Sequence, residues 1–212
     1  LTGGEPLLYV GLVPLLERMS GLNTLTEITL TTNAQALRSK ARPLFEAGLE
    51  RINISLDTFD PVRFEQLTRG GDIAHTFSGI EAAIEVGLTP VKINVVAQRG
   101  LNEDELLPIA EWGLARGCVV RYLEVMPIGP LMHVADQHLV PKSEILERLA
   151  ERLDIREIPQ PVGQPATDYA VKGRDVSGVI GIIAHTTVPF CSRCRRLRLT
   201  AGGAIVPCLH DS

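Results

Sequence analysis

The stretch Val91-Lys92-Ile93-Asn94-Val95-Val96-Ala97 decides the fold, read together with the two segments after it. Glu103–Arg116 has the apolar spacing of a helix and stops at Gly117; Val119–Val125 is apolar and β-branched again. Strand, helix and strand with short joints make a βα repeat, which builds parallel strands with helices outside. The pattern extends toward the N-terminus. Thr26–Thr31 reads as a short strand and Gln35–Ala47 as a helix ending at Gly48. Arg51–Leu56 is the next strand, and His75–Val86 a helix ending at Gly87. Pro43 and Pro108 fall inside two of these helices and predict a kink or a later start. An open sheet and a barrel both fit. No G-x-G-x-x-G follows a strand, which argues against a dinucleotide-binding unit.

Beyond Met126 the pattern changes. Pro127–Pro141 reads as a long loop and Ser143–Arg152 as a helix. Asp154–Ile158 and Gly178–His185 read as strands, separated by a stretch that opens Pro/Gly-rich over Pro159–Thr167. A turn at Ala201-Gly202-Gly203 precedes a short apolar run to Cys208. Residues 1–130 thus read as one unit and 131–212 as an appended layer.

With 212 residues, 45% of them hydrophobic, the chain can bury a core. A net charge of −4 excludes wholesale nucleic-acid binding, because the basic cluster is local. No apolar run approaches the roughly 18 residues of a membrane span. Four cysteines, three of them at ligand spacing, suit a reducing cytosol better than a disulfide scaffold. The fourth, Cys118, reads as a core thiol. The chain opens on Leu1 within a glycine-rich motif, so it is expected to be a fragment of a longer protein.

The C-terminal cysteines carry the chemistry. Cys191, Cys194 and Cys208 stand at C-x2-C-x13-C, with Arg193, Arg195, Arg196 and Arg198 among them. Thiolates bind soft metals or iron–sulfur clusters, and C-x2-C lets two sulfurs reach one centre. Guanidinium groups nearby favour the thiolate and offer forked donors to phosphate. Three sulfurs leave one corner of a tetrahedral cluster open. A zinc module with His210 as fourth ligand is the alternative, and a redox C-x2-C leaves Cys208 unexplained.

Strand ends, where parallel barrels keep their chemistry, are polar here. They read Leu30-Thr31-Thr32-Asn33, Asn53-Ile54-Ser55-Leu56-Asp57 and Glu124-Val125-Met126-Pro127. Capping and turn chemistry account for any one of these residues, less well for the set. In Val91–Val95 the alternation sets Lys92 and Asn94 on one face and the apolar residues on the other. An enclosed cation needs an anionic partner, either a protein carboxylate or a ligand phosphate. Arg121 poses the same question. Gly3-Gly4 lets the backbone approach a ligand, with Glu5 to anchor the loop.

Leu1-Thr2-Gly3-Gly4-Glu5-Pro6, Leu30-Thr31-Thr32-Asn33, Ile52-Asn53-Ile54-Ser55-Leu56-Asp57, Lys92-Ile93-Asn94-Val95-Val96 and Glu124-Val125-Met126-Pro127-Ile128-Gly129 occur in this order. They precede Pro189-Phe190-Cys191-x2-Cys194-x-Arg196-Leu197-Arg198-Leu199-Thr200 and the third cysteine. Together they resemble the molybdenum cofactor biosynthesis protein A family, radical S-adenosyl-L-methionine (SAM) enzymes with GTP 3′,8-cyclase activity. The resemblance covers essentially the whole chain. It implies an α/β fold: an incomplete parallel (β/α) barrel, truncated at its N-terminus, with a cluster-binding C-terminal layer. It implies that Cys191, Cys194 and Cys208 bind a [4Fe-4S] cluster. GTP would meet Thr31, Lys92, Arg196, Leu197 and Arg198, and Arg121 through its charge; SAM would meet Gly4, Ser55 and Met126. In this family a 5′-deoxyadenosyl radical takes hydrogen from the GTP ribose, and the carbon radical attacks C8 of guanine. The expected setting is cytoplasmic. A homodimer is allowed, and a pterin synthase acts downstream in the pathway.

Departures are large. The family generates its radical at a second [4Fe-4S] cluster held by C-x3-C-x2-C, and no such motif occurs here. Its C-terminal Gly-Gly tail is absent, Ala34 stands where glycine is usual, and Tyr9-Val10-Gly11 where basic and acidic residues are usual. The chain alone is therefore expected not to start radical chemistry. Two other classes stay open. One is a zinc-stapled nucleotide-binding module without catalysis. The other is a different radical SAM enzyme with an auxiliary cluster acting on a peptide, which Arg196 and Arg198 disfavour.

Overall fold

The computed structural model describes residues 1–128, 132–159 and 163–208. Its strands are β1 (Thr29–Thr32), β2 (Arg51–Ser55), β3 (Lys92–Ala97), β4 (Val119–Glu124), β5 (Asp154–Glu157), β6 (Thr167–Lys172) and β7 (Ser177–Ile183). They form one sheet in the order β1-β2-β3-β4-β7-β6-β5. β1 to β4 and β7 are parallel, while β6 pairs antiparallel with both β7 and β5. The helices are α1 (Leu12–Ser20), α2 (Ala41–Glu46), α3 (Pro61–Thr68), α4 (Ile73–Val86), α5 (Leu106–Leu114), α6 (Ala135–His138) and α7 (Lys142–Ala150). A short hairpin of β8 (Arg198–Leu199) and β9 (Ile205–Val206) follows the first two C-terminal cysteines. This is a mostly parallel α/β sheet, as expected, and its shape fits a truncated barrel.

Strand alternation separates two faces. Leu30, Ile52, Ile54, Ile93, Val95, Val120 and Tyr122 are fully buried on the helix side and form the core with Leu37, Leu44, Ile80, Leu106 and Ile109. The opposite face carries Thr31, Asn53, Lys92, Asn94, Arg121 and Leu123, all half-buried. Helix starts follow the local chemistry. The Asp60 side chain accepts Arg63 N–H at 2.8 Å with Pro61 beginning α3, and Asp72 accepts Ala74 N–H at 2.8 Å at the start of α4. Gly87 ends α4 at φ 92°, where a side chain would be strained.

Several boundaries differ from expectation. The first strand begins at Thr29, because pairing starts only at Thr29–Arg51. Gln35–Lys40 forms turns, and the helix is confined to Ala41–Glu46 with Pro43 in its first turn. There a proline's missing N–H costs nothing. Likewise α5 starts at Leu106 with Pro108 in its first turn. The Pro127–Pro141 loop contains α6 and a bridge from Gln98 to Leu139. The elements not foreseen include α1, α3, α6 and, of most consequence, β6.

Candidate active site

The polar face of the sheet is ordered in rows by strand register. Nearer the strand starts lie Thr31, Asn53, Lys92 and Val119, paired in sequence across β1 to β4. Asn53 Nδ2 donates to Thr31 Oγ1 at 3.1 Å, so the amide is fixed between Thr31 and Lys92. The next row is Ser55, Asn94, Arg121, Gly181 and Asp168. Above it come Val96, Leu123 and Ile183, an apolar layer. Buried polar atoms are normally partnered. Here Asn94 Oδ1, Arg121 Nε, Asp168 Oδ1 and Arg51 Nε are buried without a hydrogen bond. Such a set of orphaned donors and acceptors on one concave face is what a polar ligand would satisfy.

Burial and the neighbouring Arg121 and Arg51 guanidiniums push the Lys92 ammonium down to about 8, against weaker support from Asp168 and Glu27. Burial also lowers Arg121, with Asp168 opposing. Arg51 is paired with Glu27, but Lys92 and Arg121 make no direct ion pair among the described residues, and crowded cations of that kind favour an incoming anion.

At the carboxyl ends of β4 and β7 opens a cavity of about 610 Å³. Its walls include Leu123, Met126, His185 and Phe190 together with Cys191, Cys194 and Cys208. Arg195, Arg196, Leu197 and Arg198 line the same space. Arg196 Nε donates to Cys194 Sγ at 3.4 Å, and its guanidinium lies 5.2 Å from the centre of the Phe190 ring. Hydrogen bonds from the side chain and the backbone of Arg196, and the charge of Arg196 and Arg198, lower the Cys194 thiol below its ordinary value. Cys118 is the opposite case: buried in the core, its thiol is pushed up to about 11. The three exposed or half-exposed thiols are unpaired and face one cavity. No three His, Cys, Asp or Glu side chains among the described residues are placed to hold a single metal ion.

Glu124 anchors the cysteine segment to the sheet. Its buried carboxylate accepts the N–H groups of Lys142 at 2.9 Å, Thr186 at 2.9 Å and Thr187 at 2.8 Å, plus the Thr187 hydroxyl. Glu5 does the same for the glycine loop. It accepts Thr32 Oγ1 at 2.5 Å, Asn33 N–H at 2.9 Å and Leu7 N–H at 3.0 Å, holding Gly3-Gly4 beside the end of β1. A Cβ built on Gly3 or Gly4 would meet nothing within 4 Å, so the backbone there is open to a ligand.

The sequence-derived candidates fall into three places. Cys191, Cys194, Cys208, Arg196, Leu197, Arg198 and Met126 share the cavity. Thr31, Lys92 and Arg121 sit below it on the polar face. The Lys92 row is four residues short of the Leu123 row, about 13 Å along the strands. Lys92 is therefore not a wall of the cysteine cavity, and only an elongated ligand would touch both. Gly4 and Ser55 stand at the carboxyl ends of β1 and β2. His210 lies outside the described residues. Asp168 and His185 were not singled out from sequence, whereas Asn53 was quoted only within a polar strand end and Phe190 only within the cysteine motif. Asn94 was visible in the alternation of β3, whereas Asp168 required recognising β6.

Residues 1–113 match the family model described as Radical SAM superfamily. The chain belongs to the radical SAM superfamily. Residues 118–212 match the model described as Molybdenum Cofactor Synthesis C. A protein of Pelotomaculum thermopropionicum named GTP 3′,8-cyclase is 44% identical over all of this chain, which covers 65% of that relative. Proteins of the same name from Moorella thermoacetica and Corynebacterium glutamicum are 42% and 41% identical over 99% of the chain, covering 64% and 58% of each. The chain thus spans under two thirds of the relatives it matches. Among solved structures, a domain of pyruvate-formate lyase-activating enzyme from Bacteroides vulgatus aligns with a TM-score of 0.53. It is 19% identical and covers 71% of this chain and 90% of its own, a likeness of fold.

Proposed function

We propose that this chain is the substrate-binding part of a GTP 3′,8-cyclase of molybdenum cofactor biosynthesis. The observation that carries the reading is the shared cavity, in which three cysteines and the Arg196–Arg198 pair face the same space. Cys191, Cys194 and Cys208 would hold a [4Fe-4S] cluster. Three thiols leave one iron open, and Arg196 keeps a ligand thiol ready to ionise. With one iron left open, that cluster would supply a coordination site for guanine. Arg196 and Arg198 would hold the nucleotide at this end. Lys92, Arg121 and Thr31 would take the triphosphate on the polar face, where each charge-assisted contact is worth about 1.5–3 kcal/mol. Gly4, Ser55 and Met126 would line half of the SAM site. The radical-forming cluster needs thiols this sequence does not contain, so SAM cleavage belongs to a complete protein. We place the division between barrel and cluster-bearing extension at residues 130 and 131. A cytoplasmic setting fits free thiols of this kind, and GTP is the partner the pocket chemistry favours. A homodimer and a downstream pterin synthase are further partners this reading allows.

Anaerobic reconstitution with iron and sulfide tests the reading. Four irons per chain, with a spectrum altered by GTP, is the expected result. Tight stoichiometric zinc in a colourless protein, with no iron taken up, would favour the zinc-stapled module instead.

A further inference from the structure

Asp168 stands on β6, the strand that joins the parallel sheet in the reverse direction. In register it faces Gly181 of β7, and Gly181 faces Arg121 of β4. The missing side chain between them is required. A Cβ on Gly181 would lie 2.8 Å from Asp168 Oδ1 and 3.2 Å from Arg121 Cγ. The glycine therefore opens a gap through which an acidic and a basic side chain approach across an intervening strand. Both ends are buried and unpartnered, at Asp168 Oδ1 and Arg121 Nε. No ion pair closes between them among the described residues, so the influence is through space.

We infer that Asp168 is a positioning residue of the anion-binding face, acting across the Gly181 gap to hold Arg121 and keep Lys92 charged when the face is empty. This rests on the reading of that face as a triphosphate site. The charged groups around Lys92 are Arg51 from β2, Glu27 ahead of β1, Arg121 from β4 and Asp168 from β6. Two cations lower the Lys92 ammonium and two carboxylates support it, with Asp168 the stronger supporter. Asp168 is likewise the group that opposes the lowering of Arg121. Without it, Lys92 would lose its proton nearer neutral pH, and the face would lose a positive charge before a polyanion arrived. The carboxylate does not need to touch the ligand.

The test is a direct titration of Lys92 in the ligand-free chain by 13Cε-lysine NMR, with the signal assigned through Lys92→Arg. The wild-type midpoint is expected near 8. Asp168→Asn should lower it by roughly half a unit or more, while Asp168→Glu, which keeps the charge, should stay near wild type. Binding of inorganic tripolyphosphate is measured in parallel from pH 7 to 10, each variant against wild type at the same pH, because the ligand's own last ionisation falls inside this window and is common to both. Affinity should fall as Lys92 deprotonates, and the fall should begin at lower pH in Asp168→Asn. If Asp168→Asn does not fold, Asp168→Ser against Asp168→Glu carries the same comparison. Tripolyphosphate binding with an unmoved Lys92 midpoint in the neutral variant sinks this inference alone. A wild-type chain that binds no tripolyphosphate overturns both the inference and the site it rests on.

Discussion

Glu124 accepts the backbone N–H of Thr187, 63 residues further along the chain, at 2.8 Å. Thr187 is the fourth residue before Cys191, so this contact connects the end of β4 to the root of the cysteine segment. Glu124→Ala would leave three backbone N–H groups and a hydroxyl seeking partners in a buried setting. A loss of at least about 2 kcal/mol is expected by chemical denaturation. Iron retention after reconstitution should drop with it. A variant within about 0.5 kcal/mol of wild type would show that the contact carries no such weight.

The cysteines should separate by reactivity. Cys194 is exposed and its thiol is lowered by Arg196, while burial raises Cys118 to about 11. Brief alkylation near pH 7.5, followed by peptide mass spectrometry, should modify Cys194 early and Cys118 only after unfolding. Arg196→Ala should slow labelling of Cys194 several-fold. Cys118→Ala should leave iron content unchanged. Equal labelling of both thiols in the native chain would contradict this assignment.

Asp57 gives a stability signature in acid. Burial raises its carboxyl to about 6, and the Val96 N–H that it accepts at 2.8 Å offsets only part of this. The unfolded chain ionises Asp57 first, so the folded state binds more protons between about pH 4 and 6. In that window this group makes stability fall as pH rises. Asp57→Asn can still accept from Val96 and should remove the slope. Denaturation midpoints at several pH values check this; the same slope in both proteins would point to other groups.

Ala34 and Gly79 are matched. Ala34 sits fully buried at φ 61°, and a Cβ on Gly79 of α4 would lie 2.7 Å from its carbonyl oxygen. A backbone atom cannot swing aside, so Gly79→Ala should cost roughly 1–3 kcal/mol or more. Ala34→Gly relieves roughly 1–2 kcal/mol of left-handed strain. It gives up a buried methyl worth about 0.8 and adds unfolded-state freedom worth about 0.5–1 kcal/mol. A net change within about 1 kcal/mol is expected from thermal melts, against a clear loss for Gly79→Ala.

Much of this molecule could be read from its sequence because its signals are periodic or clustered. Period-two alternation set Lys92 and Asn94 opposite Val91, Ile93 and Val95, and the sheet has that division. C-x2-C and the interleaved arginines announced the cavity wall, since spacing alone keeps those groups close. Thr167–Lys172 was harder. Its buried Tyr169 and Val171 alternate with half-buried Asp168 and Ala170, but in sequence the acid, the small alanine and the proline-rich stretch before them mask that period. Nor could the depth of Lys92 below the cavity be read locally, because register between strands is a long-range property. The resemblance put Arg198 and Lys92 around one nucleotide; Arg198 lines the cavity with Leu123, and register sets Lys92 four residues below the Leu123 row.

The position of β7 has a consequence for maturation. β1 to β4 are neighbours both along the chain and within the sheet, so each can add to the last as its helix folds back. β7 must wait, because it docks on β4 only after the intervening chain, with β5 and β6, has been traversed. Closing so long a loop costs more entropy than pairing strands that are adjacent in the chain. The cysteine-bearing segment begins just after β7 and is fastened by Glu124 at the same seam. On the proposed reading its thiols would be gathered late, on a scaffold whose first four strands are already paired. In a small zinc domain the metal nucleates the fold. On the proposed reading the order would be reversed here: a finished scaffold would present an open set of ligands, and iron would be a late passenger that the cell could deliver after synthesis.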